Sequence, residues 1–160
     1  HLYDRESDTY FVQGVYEIRG KLDIDCFKEA WETLLRQHGV LRTGYSWEGL
    51  EEPLQYVMKE VSLPYEFIDW EGEEEAENLL EELLLADRKL GFDLRKAPLL
   101  RIKVIRVDAD RYYMLWSNHH IILDGWCTSL LLGDLLELYE GLKEGRGVRL
   151  RYREPYSKYI

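Results

Sequence analysis

The stretch "RYYMLWSNHHIILDGWC" spans residues 111–127 and predicts how the second half of the chain folds. It begins with an apolar and aromatic run, which leads into two adjacent histidines, His119 and His120. An aspartate and a glycine, Asp124 and Gly125, then precede a segment whose leucines recur at helical spacing. This order predicts a strand that ends at the histidines, followed by a turn and a helix.

The predicted strand separates the two histidines, because neighbouring side chains on a strand point to opposite faces. We therefore expect one ring to lie inward, held by hydrogen bonds, and the other to face a different compartment. No metal site is expected, since His119, His120 and Asp124 lack the further ligands that a motif such as H-E-x-x-H supplies. Spacing alone leaves two interpretations open: a packed pair of core histidines, or a general base at a strand end beside a helix.

The spacing at which apolar residues recur predicts the remaining helices and strands. For the first helix, Asp23 is predicted as the N-cap and Gly39 as the C′ residue. The order β-α-β-β-β-α-β-β-α indicates an α/β fold in a single domain, 1–160, with about three helices on a mixed, mostly antiparallel sheet. The predicted strands are 9–20, 40–47, 53–61, 63–70, 98–107 and 111–120, and the predicted helices are 22–39, 128–145 and one within 69–89.

The chain is acidic, with 21 Lys and Arg residues against 31 Asp and Glu residues and a formal net charge of −10. This balance argues against nucleic acid as a partner. Much of the acidity lies in residues 69–89, which we interpret as a helix with one solvated face. The apolar stripe predicted for that helix consists of Ala76, Leu79, Leu80, Leu83, Leu84 and Leu90.

Several features bear on where the protein works. No apolar run approaches the length that spans a bilayer, and no signal peptide is visible, so we expect no membrane partner. Cys26 and Cys127 lie far apart without metal spacing, as expected for reduced thiols in a cytoplasmic protein. The chain starts at His1 rather than at a methionine, which suggests a piece of a longer or processed polypeptide.

The segment "HHIILDGWC" resembles the H-H-x-x-x-D-G signature of nonribosomal peptide synthetase condensation domains, which are chloramphenicol-acetyltransferase-like acyltransferases. A second motif supports the resemblance: "RQHGVLRTGY" (36–45) is similar to R-H-x-x-L-R-T-x-F, with a glutamine inserted after Arg36. Arg42 and Thr43 match the end of that motif.

Three further stretches resemble family landmarks in the expected order, so the resemblance covers nearly the whole chain. "GKLDIDCFKEAWETLL" is similar to G-x-L-D-x-x-x-L-x-x-A, and "GFDLRKAPLLRIKVIRV" is similar to F-D-L-x-x-x-P-L-x-R. "PYSKYI" (155–160) resembles the start of Y-x-D-[FY]-x-x-W, with Lys158 where aspartate is usual.

The resemblance implies a fold of two related lobes in a V, with the active site at their junction. This chain matches the N-terminal lobe, and the C-terminal lobe of the same domain is missing, so we expect the fragment alone to be inactive. In the family, donor and acceptor peptidyl carrier proteins deliver thioesters on 4′-phosphopantetheine arms, and an amide bond forms between the two substrates. The implied partners are these carriers and a neighbouring adenylation domain; no cofactor bound by the chain itself is implied.

The resemblance also assigns the site residues. His120 is the catalytic residue, acting either as a base or as a group that positions the amine and stabilises the intermediate. His119 is structural, and Asp124 either caps the following helix or pairs with an arginine, for which we suggest Arg42. Gly125 is expected to keep a side chain out of the channel beside His120.

Several alternatives stay open on the sequence. Epimerisation domains share the H-H-x-x-x-D-G motif, a free-standing acyltransferase would use coenzyme A thioesters, and a degenerate lobe would only bind carriers. The "DGWC" and "LYDRES" stretches resemble condensation domains whose donor ends in a D-residue. The sequence does not name the amino acids joined or the product.

Overall fold

The computed structural model describes residues 10–150, and its elements follow the predicted order. The stretches "LYDRES" and "PYSKYI" lie outside the described residues. An α/β chain with three helices and a mixed, mostly antiparallel sheet is confirmed. The elements are β1 (Phe11–Arg19), α1 (Ile24–Gln37), β2 (Thr43–Ser46), β3 (Leu54–Val57), β4 (Tyr65–Asp69), α2 (Ala76–Leu90), β5 (Leu100–Asp108), β6 (Arg111–His119) and α3 (Gly125–Lys143).

The described residues fall into two compact units. The first, called the sheet unit, comprises the described residues up to Leu22, together with Pro64–Asp93 and Leu100–Ile121. Its four strands have the order β1-β6-β5-β4; β6 is antiparallel to both neighbours, and β4 is parallel to β5. One face of the sheet carries a small core that helix α2 covers, formed by Ile105, Val107 and Leu115 together with Ile68, Trp70, Ala76, Leu83, Leu84 and Tyr113.

The second, called the helical unit, comprises Asp23–Leu63, Leu94–Leu99 and the described residues from Ile122 onward. Helix α1 packs against α3, and the Phe27 ring meets the edge of the Tyr139 ring at 5.7 Å. The antiparallel strands β2 and β3 form a second, two-stranded sheet in this unit. Apolar residues of both helices are buried here: Phe27, Ala30, Trp31, Leu34, Leu35, Leu131, Leu135 and Leu138.

The structure corrects the bounds of several predicted elements, among them the strand predicted for 53–61, which ends at Val57. The strand predicted for 40–47 starts only at Thr43, because Gly39–Arg42 forms a 3₁₀ turn in which the Leu41 N–H donates to the His38 carbonyl. The third helix begins at Gly125, three residues before its predicted start at Thr128.

The apolar stripe predicted for α2 also differs at its end. Leu90, placed in the stripe, is 72% exposed, whereas Asp87 is only 1% exposed. A carboxylate can be buried only where hydrogen-bond donors replace its water. Side chains of the sheet supply such donors to Asp87.

Candidate functional site

Strand β6 ends at the histidine pair and gives its two rings different environments. Met114, Trp116 and Asn118 lie on one face of the strand, and Leu115, Ser117 and His119 lie on the other. His119 is buried, with 4% of its surface exposed, whereas His120 is exposed. The two rings therefore meet different surroundings although the residues are adjacent.

The His119 ring is held by its own strand end. Its Nδ1 accepts a hydrogen bond from the Ile121 N–H at 3.1 Å, and its ring stacks on the Tyr10 ring at 5.9 Å and 27°. Because Nδ1 is the acceptor, the proton of the neutral imidazole is assigned to Nε2.

The His119 side chain is neutral at physiological pH. Its pKa is lowered from 6.5 to about 4, mainly by burial, because a charged imidazolium is poorly solvated there, and the nearby His120 contributes in the same direction. The neutral His119 ring stabilises the strand end, because its Nδ1 accepts the hydrogen bond from the Ile121 N–H. Its pKa is far from the range that suits a base near pH 7.

His120 continues the backbone ladder but leaves its side chain exposed. Its N–H donates to the Tyr10 carbonyl at 2.7 Å, one residue beyond the end of β6. The backbone at His120 is thus fixed against the segment that enters β1. An imidazole on such a support can accept a proton from a substrate atom within hydrogen-bond distance, or donate a hydrogen bond to it.

Asp124 caps helix α3. The Cys127 N–H donates to Asp124 Oδ1 at 2.8 Å, and the Thr128 N–H donates to the Asp124 carbonyl at 3.0 Å. This geometry satisfies a donor of the first turn that would otherwise lack an intrahelical partner.

Arg42 does not form the ion pair with Asp124 that the motifs suggested. Its Nε donates to the Leu35 carbonyl at 3.0 Å, and its Nη1 donates to the carbonyls of Met58 and Lys59. Arg42 therefore connects the last turn of α1 with the chain that leaves β3. The prediction was wrong because several carbonyls converge on this guanidinium, and only the tertiary structure brings them together.

Gly125 is the first residue of α3 and lies in open space. Its φ is not in the left-handed region, and a Cβ atom built on it meets no described atom within 4 Å. The next residue, Trp126, is 82% exposed. Neither backbone conformation nor packing among residues 10–150 therefore requires glycine at this position.

A buried polar cluster that the sequence did not predict neighbours the histidine pair. The Asp87 carboxylate of α2 accepts hydrogen bonds from Gln13 of β1, Arg101 of β5 and Ser117 of β6. One signal in the sequence pointed to it: Asp87 follows Leu83 by four residues and Leu84 by three, which is a position on the apolar face of the helix.

Metal sites and membrane spans are both absent from the described part of the chain. Among residues 10–150, no group of three or more His, Cys, Asp or Glu side chains is arranged to hold a metal ion. In the same stretch, no helix combines the length and the apolar character needed to cross a membrane.

Comparison with known proteins gives consistent matches. A family model described as a condensation domain matches residues 1–160. Bacitracin synthase 3 of Bacillus licheniformis is 36% identical over 159 residues, which are 99% of this chain and 2% of that protein. Tyrocidine synthase 2 of Brevibacillus parabrevis is 35% identical over 161 residues, which are 99% of this chain and 4% of that protein. The chain thus spans a very small part of these curated relatives.

Solved structures show the same fold at lower sequence identity. The starter condensation domain of rhizomide synthetase matches with a TM-score of 0.89 and 16% identity, covering 99% of this chain and 38% of that chain. The first condensation domain of the calcium-dependent antibiotic synthetase matches with a TM-score of 0.85 and 21% identity, covering 93% of this chain and 37% of that chain.

Proposed function

The chain belongs to the condensation-domain family, and we propose that it is the N-terminal lobe of a nonribosomal peptide synthetase condensation domain. In this proposal the C-terminal lobe is supplied by the polypeptide that carries the chain. The observation that supports it best is the exposed His120 beside the buried His119, at the strand end where the sequence matches the H-H-x-x-x-D-G motif.

The reaction is amide formation between two carrier-bound thioesters. The α-amine of the acceptor attacks the thioester carbonyl of the donor, a carbon–nitrogen bond forms and the carbon–sulfur bond breaks. The amine loses a proton, the donor phosphopantetheine arm leaves as a thiol, and the lengthened chain remains on the acceptor arm. An imidazole at His120 assists either by taking the amine proton or by stabilising the charge of the tetrahedral intermediate.

The neighbouring residues have supporting roles. His119 holds the strand end through its Nδ1 and its contact with Tyr10. Asp124 fixes the start of α3 by capping it, and Arg42 holds the segments around it through backbone carbonyls. Gly125 leaves room for a substrate arm, which explains a glycine that the described residues do not require.

The partners in this proposal are the donor and acceptor peptidyl carrier proteins, a neighbouring adenylation domain and the C-terminal lobe. Phosphopantetheine reaches the site as part of the substrates, covalently bound to the carriers. We also propose a cytoplasmic location, which the free thiols of Cys26 and Cys127 support.

The test uses the complete two-lobed domain with both carriers loaded, and dipeptide formation is followed by mass spectrometry. His120→Ala is expected to lower the rate by about 10²-fold or more, the range typical of a lost acid–base group. Lys28→Ala, a surface change on α1, serves as the control and should leave the rate unchanged. An undiminished rate in His120→Ala would contradict the catalytic assignment.

A second arm of the test replaces the carrier-bound donor by the same acyl group on coenzyme A. The proposal predicts slow transfer from coenzyme A, because the carrier supplies binding energy that the free thioester lacks. Equal rates with both donors would favour a free-standing acyltransferase.

A further inference from the structure

A buried carboxylate joins three strands of the sheet unit close to the histidine pair. Asp87 of α2 is 1% exposed. Its Oδ2 accepts hydrogen bonds from Ser117 Oγ at 2.5 Å and from Gln13 Nε2 at 3.1 Å, and its Oδ1 accepts one from Arg101 Nε at 2.6 Å. No step of the proposed reaction uses this group.

The three donors form one row across the sheet. Gln13 of β1 and Arg101 of β5 are both register partners of Ser117 of β6. His119 lies two residues further along β6, on the same face, and is the register partner of Phe11. The Asp87 cluster is therefore the row of side chains next to the histidine that ends the strand.

The cluster also ties the end of α2 to the sheet. Arg101 donates from Nη1 to the Gly91 carbonyl at 2.7 Å and from Nη2 to the Asp87 carbonyl at 2.5 Å, and its guanidinium lies 4.3 Å from the centre of the Phe92 ring. Burial alone would raise the pKa of Asp87, but the hydrogen bonds from Arg101, Ser117 and Gln13 outweigh burial and lower the pKa below its usual value. The carboxylate is thus ionised at neutral pH.

Buried ion pairs of this kind contribute little net stability compared with apolar side chains of similar size, because both charges lose their hydration. The ion pair between Asp87 and Arg101 instead fixes the positions of the groups bound to it. The hydrogen bond from the His120 N–H to the Tyr10 carbonyl joins β6 to the segment entering β1. Asp87 holds both of these strands, through Ser117 and Gln13.

We propose that Asp87 is a positioning residue for His120: by holding Ser117 and Gln13 together, it fixes the end of β6 against the start of β1 and so places the His120 imidazole. The inference rests on the proposed role of His120 in amide formation. It assigns Asp87 no contact with substrate.

The first test separates position from stability in the complete domain. The double variant Asp87→Leu with Arg101→Met replaces the ion pair by apolar side chains, and urea unfolding establishes that it stays folded under assay conditions although the carbonyls of Asp87 and Gly91 lose their Arg101 donor. We expect its kcat to fall by about tenfold with KM for the loaded carriers unchanged, because small misplacements of a reacting group lower rates to this extent. Full kcat in this stable variant would overturn the inference.

Ser117→Ala is the narrower change, since it removes only the link between Asp87 and β6 and keeps the ion pair with Arg101. It should reproduce the fall in kcat. The matched control is Asp69→Asn, which removes an exposed ion pair with Arg106 between β4 and β5 of the same sheet. This control should leave kcat unchanged, and an equal fall in kcat would count against a specific role for Asp87.

The second readout does not depend on activity. In Ser117→Ala we expect the amides of His120 and Ile121 to exchange with solvent about tenfold faster, while amides in the first half of β6 keep their protection. Equal acceleration along the whole strand, or no change at His120, would overturn the inference. If His120→Ala proves fully active while the amides of His120 and Ile121 still exchange faster in Ser117→Ala, the role of Asp87 in holding the strand end stands. In that case only the proposed function fails.

Discussion

At the residue scale, the histidine pair shows how alternation on a strand produces two different chemical groups from one residue type. His119 is buried and accepts a hydrogen bond from a backbone N–H, and its pKa is lowered to about 4 by burial. His120 is exposed one residue later. We therefore expect the two histidines to have different roles. Substitution of His119 should change stability, whereas substitution of His120 should change the rate of the proposed reaction.

The His119 pKa predicts an acid-sensitive stability. The folded-state pKa lies below the ordinary value of 6.5, so the unfolded chain binds the proton more readily, and stability falls as pH drops from about 6.5 towards 4. The full loss is about 3 kcal/mol. Urea denaturation at pH 7 and pH 4.5 measures most of this loss. His119→Asn, which keeps an acceptor for the Ile121 N–H, should remove this part of the pH dependence, whereas His120→Asn should retain it.

Gly125 allows stability and activity to be separated. Gly125→Ala places a methyl group in open space at a helical position, so the free energy of unfolding should stay the same or rise by up to about 1 kcal/mol. If a substrate arm passes this point, the rate of dipeptide formation in the complete domain should fall by about tenfold. An unchanged rate would remove Gly125 from the proposed site.

At the scale of elements, two contacts fix the helical segments around the motif residues. Asp124 caps the first turn of α3, and Arg42 binds the carbonyls of Leu35, Met58 and Lys59. Each residue stabilises a backbone terminus rather than the other side chain. The consequences of changing them are therefore local and independent.

The cap predicts a specific pattern of stability. Asp124→Ala should cost about 1 kcal/mol, because the Cys127 N–H loses its partner, whereas Asp124→Asn should cost little, since asparagine caps equally well. Asp23→Ala provides the matched control, because Asp23 caps α1 through the Cys26 N–H in the same way. Thermal or urea unfolding measures all three; an Asn variant as unstable as the Ala variant would show that Asp124 needs its charge.

The geometry of Arg42 predicts an additive double mutant. Arg42→Met should cost about 1–3 kcal/mol, since it leaves carbonyls without a donor. Combined with Asp124→Ala, the two losses should add to within about 0.5 kcal/mol, as expected for residues that do not contact each other. A larger coupling energy between the two substitutions would support the ion pair between Arg42 and Asp124 that the motifs suggested.

At the scale of the whole molecule, the motif is divided between the two compact units. His119 and His120 end the sheet unit, and Asp124 and Gly125 begin the last helix of the helical unit. The chain corresponds to 38% of the solved starter condensation domain. In the proposed function, the C-terminal lobe completes the site.

That expectation has a direct test. The 160-residue chain, mixed with both loaded carriers, should form no dipeptide above the background rate, whereas the complete domain should form it. Free thiol released on the donor carrier gives an independent readout of transfer. Amide formation by the 160-residue chain alone would show that this part contains the whole site.

Much of the organisation was predictable because it depends on local pattern. Strand and helix periods predicted the order of the elements, and alternation along β6 predicted that the two rings meet different surroundings. The Asp87 cluster was not predicted, because its partners lie far away in the chain: Gln13 is 74 residues away and Ser117 is 30 residues away. The acidic segment 69–89 was interpreted as a helix with a solvated face, but one of its carboxylates, Asp87, is buried.

The sequence by itself determined the order of elements, the cap of α1 and the family to which the chain belongs, since each depends on residues close together along the chain. Only the tertiary structure decided that Arg42 binds carbonyls instead of Asp124 and that Asp87 joins three strands. The physical reason is the same in each case: a polar side chain is stabilised by whichever donors and acceptors the folded backbone brings to it, and their positions depend on packing between distant segments.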